Sequence, residues 1–299
     1  MSAPTSHSDL LDPAAISRAE HLGVIARRIV EGYRVGEHRS PLRGFAIEFS
    51  QHREYTAGDD PRHLDWKVLG RSDRYYIKQY EQDTNYIAHL LVDGSESMNY
   101  GSGKLTKLHY AKTLAACLGY IVLQQRDAVA LAIFDDALRE QLPRTDNFQR
   151  INHIAARLAE FQASRPGDLA NCLQLYAAQI KSRGIVILIS DLLDDPMALR
   201  QSLRRVTLSG SEAIVFQVLD HQEINFKFDG MVKFLGLEGL GEKLVSPQDL
   251  RKAYLKEFEA HQREVRKTCE QCGVHHILCD TSKPLHEALT GYLSFRSKT

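Results

Sequence analysis

The sequence predicts an α/β fold, a doubly wound, mostly parallel sheet sandwiched by helices, and three observations carry that prediction. From residue 86 onward, short apolar runs alternate with longer amphipathic ones, the pattern of strands joined by crossover helices. Runs such as Ile185-Val186-Ile187-Leu188-Ile189 are apolar at every position, as strands covered by helices on both faces are. The chain has 299 residues, 43% hydrophobic and 25% charged, enough to bury a large core and too apolar for wholesale disorder.

In chain order, residues 1–11 read as a polar, disordered tail. Asp12-Pro13 then supplies an N-cap and a proline at the first helical position, and Ile16, Leu22, Ile25, Ile29 and Val30 continue a helix to about residue 33. Residues 36–83 break into Gly, Pro, His and charged residues, with a short helical candidate at 64–69 and a strand candidate at 75–80. A structureless loop of that length is unusual, so residues 12–83 are expected to pack on the main domain, residues 84–296, through Phe45, Phe49, Tyr55, Trp66 and Tyr75. Strands follow at 87–92, 128–134, 185–190, 213–219 and 275–279. Helices are expected at 104–124, 148–161, 169–181, 196–208, 247–272 and 284–293, and residues 220–245, with Phe226, Phe228 and Phe234, read as a β-excursion.

Composition narrows the function classes. Lys plus Arg and Asp plus Glu number 38 each, so no basic excess draws the molecule to nucleic acid or an anionic membrane. The longest apolar stretch, near residues 114–123, falls short of the roughly 18 to 20 residues a membrane-spanning helix needs. The polar N-terminus lacks the marks of a signal peptide, and five Cys spread over a long chain suit a reducing compartment, so a cytoplasmic protein without membrane insertion is expected.

One constellation carries chemistry. The strand Leu90-Leu91-Val92 ends in Asp93-Gly94-Ser95-Glu96-Ser97, which puts a carboxylate and two hydroxyls on a tight turn, and Ile189-Ser190-Asp191 ends another strand with a second carboxylate. Ligands bind outside the carboxyl ends of such strands, and oxygen-only donors suit a hard divalent cation such as Mg²⁺.

Asp93, Ser95, Ser97 and Asp191 resemble the metal-ion-dependent adhesion site (MIDAS) of von Willebrand factor A domains. The upstream run Arg43-Gly44-Phe45, Glu48-Phe49, Arg53-Glu54-Tyr55, Gly58-Asp59-Asp60-Pro61-Arg62 and Asp65-Trp66 resembles the signature of bacterial proteins in domain-of-unknown-function family 58 (DUF58), whose members carry a von Willebrand A-like domain. With residues 78–81 and 220–223, the resemblance spans about residues 36–296. It implies a non-enzymatic interaction adaptor acting with a MoxR-type AAA+ ATPase in chaperone-like assembly or maturation, its client protein open. It also implies Mg²⁺ on Asp93, Ser95, Ser97 and Asp191. A Thr that such sites normally add is replaced by Gly167 in Arg165-Pro166-Gly167-Asp168-Leu169, where Asp168 either supplies an oxygen or caps the helix beginning at Leu169. Two readings of the loop stay open: a metal site, or an inherited turn whose serines satisfy backbone groups.

The rival function class is a metal-dependent phosphotransferase or hydrolase using Asp93, although Ser95 stands where such an enzyme would place a second acid. Cys269, Cys272, His275, His276 and Cys279 have zinc-like spacing but divide between a helix end and a strand, so thiols and a core strand are the expectation. Gly101-Ser102-Gly103-Lys104-Leu105 fails the phosphate-loop pattern at both ends. The polar cluster Asp59, Asp60, Arg62, His63, Asp65 and Trp66 reads as turn and capping chemistry.

Overall fold

The computed structural model describes residues 46–54, 68, 70, 75–83, 87–103, 105–227, 232–235, 242–245 and 247–296. The tail at 1–11, the helix expected over 12–33 and the cluster at 59–66 lie outside these residues, as do Phe45, Tyr55 and Trp66. Strands β1 (Ala46–Glu54) and β2 (Tyr76–Asp83) form an antiparallel hairpin, paired from Ala46 opposite Asp83 to Glu54 opposite Tyr76. The polar run Ser50-Gln51-His52-Arg53 hides β1 from a periodicity reading. Tyr75, expected to be buried, is 55% exposed.

The main sheet has six strands in the order β10-β7-β6-β3-β4-β5. They are β3 (Ile87–Asp93), β4 (Ala128–Phe134), β5 (Leu138–Thr145), β6 (Ile185–Ser190), β7 (Glu212–Leu219) and β10 (His275–Asp280). All neighbours run parallel except β5, which lies antiparallel on β4 at the edge. The predicted doubly wound fold is therefore the observed one, with β5 as an addition. That strand alternates half-buried and exposed residues and contains Pro143, tolerable on an edge strand and a poor strand signal in sequence.

Helix α1 (Lys107–Gln124) starts three residues later than expected because Thr106 is its N-cap, accepting a hydrogen bond from the His109 amide at 3.1 Å. Between β5 and β6 lie a 3₁₀ turn at Phe148–Arg150, α2 (Ile151–Glu160) and α3 (Leu169–Gln179). Helix α4 (Pro196–Leu208) follows β6. The excursion after β7 holds the short α5 (His221–Asn225) and the hairpin of β8 (Val232–Leu235) and β9 (Glu242–Val245), and leads into α6 (Pro247–Gln271). Helix α7 (His286–Arg296) follows β10. Among the described residues no helix is long and apolar enough to cross a membrane.

Alternation along each strand builds a core on either face of the sheet. Ala88, Leu90 and Val92 of β3 pack on one side with Ile185, Ile187 and Ile189 of β6 and with α1, while Leu91, Val186 and Leu188 pack on the other with α3 and α4. The chain goes from β3 to β4 on one side, then returns to place β6 on the other. The carboxyl ends of β3 and β6 therefore flank the point where strand order reverses, the crevice where open α/β sheets bind ligands.

His89 is the one imidazole in β3. It is 8% exposed, its Nδ1 lies 3.0 Å from the Tyr176 hydroxyl, and its Nε2 has no hydrogen-bond partner among the described residues. Burial pushes it down to about 4, and burial first, then Arg266 and His275, do the same to His276. A depressed imidazole contributes stability that is intact above its unfolded value near 6.5 and is lost as pH falls toward 4. Across that window His89 is expected to cost on the order of 3 kcal/mol. Urea unfolding at pH 7 and pH 5 should show a smaller loss for His89→Gln, which keeps a partner for Tyr176 without a titrating ring.

Candidate functional site

The four predicted donors are brought together. The Asp93 carboxylate, 4% exposed at the end of β3, accepts the Ser95 amide on Oδ1 at 2.9 Å and the Ser190 hydroxyl on Oδ2 at 2.5 Å. Ser95 Oγ and Ser97 Oγ lie 3.1 Å apart, and Ser97 donates to Asp191 Oδ2 at 2.8 Å. Asp191 Oδ1 accepts the Leu193 backbone amide at 3.3 Å, and its carbonyl accepts from the side-chain Nε2 of Gln217, a buried residue of β7, at 3.0 Å. Burial first, and the Asp191 charge second, push the Asp93 carboxyl well above the usual carboxylate range.

The sequence reading missed the group that organises the cluster. Lys107, the first residue of α1, is 0% exposed and donates to Asp191 Oδ2 at 2.9 Å and to Glu223 Oε1 at 2.7 Å. Burial alone would pull its ammonium pKa down, but the two carboxylates outweigh burial and the net shift is upward, so it stays charged. Glu223 in turn belongs to a capping box on α5: Asp220 caps the helix through the Gln222 amide at 2.8 Å, and Glu223 Oε2 accepts the Asp220 amide at 2.8 Å. Asp220 also accepts the Ser102 amide at 2.9 Å and its hydroxyl at 2.5 Å, which ties the loop after β3 to the end of β7. A signal for Lys107 exists in the sequence: the helix it opens is apolar on nearly every face and buried on nearly every face, so a lysine in it has little solvent to turn to.

Asp168 does not serve the cluster. It is exposed, and its carboxylate caps α3 by accepting the Asn171 amide at 3.1 Å, the second of the two roles open from sequence. Gly167 does lie where a further donor belongs, since a Cβ there would meet Ser95 Cβ at 3.0 Å and Ser95 Oγ at 3.5 Å. A Thr at this position would crowd Ser95 unless one of the two loops shifted.

Mg²⁺ does not fit this donor set well. Asp191 Oδ2, the oxygen nearest the hydroxyls, is already shared by Ser97 and a fixed ammonium, and a divalent ion on Asp191 would have that like charge beside it. Apart from this cluster of two carboxylates and two hydroxyls, no group of three or more His, Cys, Asp or Glu among the described residues is arranged to hold a metal. This also covers the zinc-like set: all five cysteines are buried and outside any disulfide, and Gly273, at φ +67°, closes α6 between Cys272 and β10.

Catalytic groups are equally scarce at this edge. A cavity of about 580 Å³ beside the cluster is lined in part by Ser102, His109, Asp220, His221, Thr281 and Lys283. In its lining, Ser282 and His221, with Asp280 behind them, superficially form a hydroxyl–imidazole–carboxylate set. Both the Asp280 carboxylate (3.0 Å) and the Ser282 hydroxyl (3.3 Å) meet His221 Nδ1, so the ring cannot pass a proton between them.

Removing one partner from a buried ion pair leaves the others uncompensated. Lys107→Met is expected to lower unfolding free energy by about 3 to 5 kcal/mol. In that background Asp191→Asn should cost far less than in the wild type, a coupling that a urea-unfolding double-mutant cycle reads directly.

The chain is similar to uncharacterized proteins of mycobacteria. Rv1480 of Mycobacterium tuberculosis and Mb1516 of Mycobacterium bovis are each 24% identical to it over 269 residues, 89% of this chain and 84% of theirs. Among solved structures, the conserved hypothetical protein BatB of Bacteroides thetaiotaomicron aligns with 72% of this chain and 100% of its own at 15% identity and a TM-score of 0.49. The VWA domain of SpRpn10 aligns with 69% of this chain and 93% of its own at 13% identity and a TM-score of 0.42. The family model that matches, over residues 51–264, is the protein of unknown function DUF58, and with well over half of its length matched the chain belongs to that family.

Proposed function

We propose that the protein is a non-enzymatic interaction adaptor of von Willebrand A-like design, which docks a partner protein at the carboxyl edge of its sheet. The observation that carries this reading is the contrast between the inside and the outside of that edge. Inward, every carboxylate of the cluster is engaged by a hydroxyl, an amide or the Lys107 ammonium. Outward, Leu193 and Met197, two and six residues beyond Asp191, are 50% and 61% exposed, and Leu105, on the loop after β3, is 40% exposed. Large apolar side chains exposed on the loops and the first helical turn at one edge are what a protein interface uses as anchors.

The partner in this proposal is a MoxR-type AAA+ ATPase, the companion implied by resemblance, with assembly or maturation of a client protein as the outcome. The alternative, phosphoryl transfer by Asp93, is disfavoured because both carboxylate oxygens are held by Ser95 and Ser190 and the group is 4% exposed. An attacking carboxylate needs a free oxygen facing its substrate.

The test is co-purification of the tagged full chain with a co-expressed MoxR-type ATPase. Leu193→Asp with Met197→Asp should abolish recovery of the ATPase without lowering the melting temperature, because both side chains are exposed. Equal recovery by the double variant would remove this face as the docking surface. Mg²⁺-dependent turnover of phosphomonoesters that disappears in Asp93→Asn would favour the enzyme instead.

A further inference from the structure

We propose that Lys107 is the resident cation of this site: its ammonium supplies, between Asp191 and Glu223, the positive charge that a divalent ion supplies in a metal-dependent adhesion site, so that the edge is assembled without metal. The inference is independent of the partner reading, because it concerns the isolated chain.

Three independent features converge on it. The first is position. The ammonium bridges two carboxylates at 2.9 and 2.7 Å, and one of them, Asp191, is a predicted metal ligand whose Oδ2 also takes the Ser97 hydroxyl. The second is the donor that is missing. Gly167 stands where a metal site would need another oxygen, and the space that an added side chain would enter is bounded by Ser95 Cβ, 3.0 Å from a Cβ built there. The absence of a metal ligand and the presence of a built-in cation coincide in one cluster, as expected if one stands in for the other.

The third is the cost of putting a lysine there. Lys107 sits in the first turn of α1, where the helix dipole opposes a positive charge, and its side chain is 1% exposed. Turned into solvent, the lysine would escape the burial cost and have the dipole screened by water. What offsets both is a pair of carboxylates from two other segments, the end of β6 and α5. The ammonium thus does structurally what a bound ion does, drawing loops from separate strands onto one centre. Unlike an ion, it cannot leave and offers no exchangeable position to a partner carboxylate. Recognition at this edge must then run through the side chains around the centre and not through a metal bridge.

The experiment uses the full chain with Mn²⁺ as an electron-paramagnetic-resonance probe and Mg²⁺ in thermal unfolding. The wild type is expected to leave the free Mn²⁺ signal undiminished and to melt at the same temperature in chelator as in millimolar Mg²⁺. Lys107→Met removes the competing charge and keeps the length of the side chain. It should melt lower, be raised by Mg²⁺, and bind Mn²⁺ at least on the order of tenfold more tightly than the wild type, since a unit charge a few ångströms away no longer repels the ion. Asp191→Asn in the same background should abolish that gain. If Lys107→Met does not fold, Lys107→Gln takes its place. Stoichiometric Mn²⁺ binding by the wild type that Asp93→Asn removes would overturn the proposal. So would a folded Lys107 variant with no greater dependence on divalent ions than the wild type. Loss of partner binding in the Leu193 and Met197 variants has no bearing on these readouts, so the two readings fail separately.

Discussion

The carboxyl edge of the sheet is organised around one buried ammonium. Lys107 has to be neutralised where it lies, and its two acceptors come from different parts of the chain: Asp191 from the turn after β6 and Glu223 from the helix after β7. Both segments are therefore held to the first turn of α1. The rest of the network extends from these anchors, through Ser97 to the loop after β3, through Gln217 to the Asp191 carbonyl, and through Asp220 to Ser102. Satisfied polar networks of this kind add little net stability over an apolar substitute, but they have few alternative arrangements, which makes them good at fixing geometry.

The fold was legible in sequence for a physical reason. Strands β3, β4, β6 and β7 are covered on both faces, so nearly every residue in them has to be apolar, and such a run stands out from amphipathic helices on either side. Strands whose residues are largely polar were not legible, whereas edge strand β10, with Ile277, Leu278 and Cys279, was. Edge strand β5 carries Arg139, Glu140, Gln141 and Pro143, and β1 is interrupted by Ser50 to Arg53. Helix starts depended on side chains that cap, as with Thr106, which apolar periodicity does not register.

The site divides along the same line. Asp93 and Asp191 could be placed together because each ends a buried strand and adjacent parallel strands present their ends at one edge. Ser95 and Ser97 followed from their spacing. Lys107 did not, because a lysine near a helix N-terminus ordinarily reads as a solvated residue, and only the burial of its helix on nearly every face holds it inside. Pairing it with Glu223 requires knowing that α5 returns to this edge, which is a fact of topology that no local pattern contains. Asp168 illustrates the converse: its two sequence roles had equal local support, and the helix it precedes claims the carboxylate.

The division of labour at the edge follows from how charge and apolar surface behave in recognition. A charge already paired inside the protein has little left to offer a partner, because breaking its pair to form another exchanges one good contact for a second at full desolvation cost. Exposed apolar side chains are in the opposite condition, since each gains by leaving water and none has to surrender a contact first. At this edge the charges face inward, while Leu193 stands on the loop whose amide Asp191 accepts and Met197 on the first helical turn, which Asp195 caps. Under the proposed docking, the buried network would contribute to binding indirectly, by fixing the backbone from which those side chains project, so that a partner would meet a surface already in its bound shape.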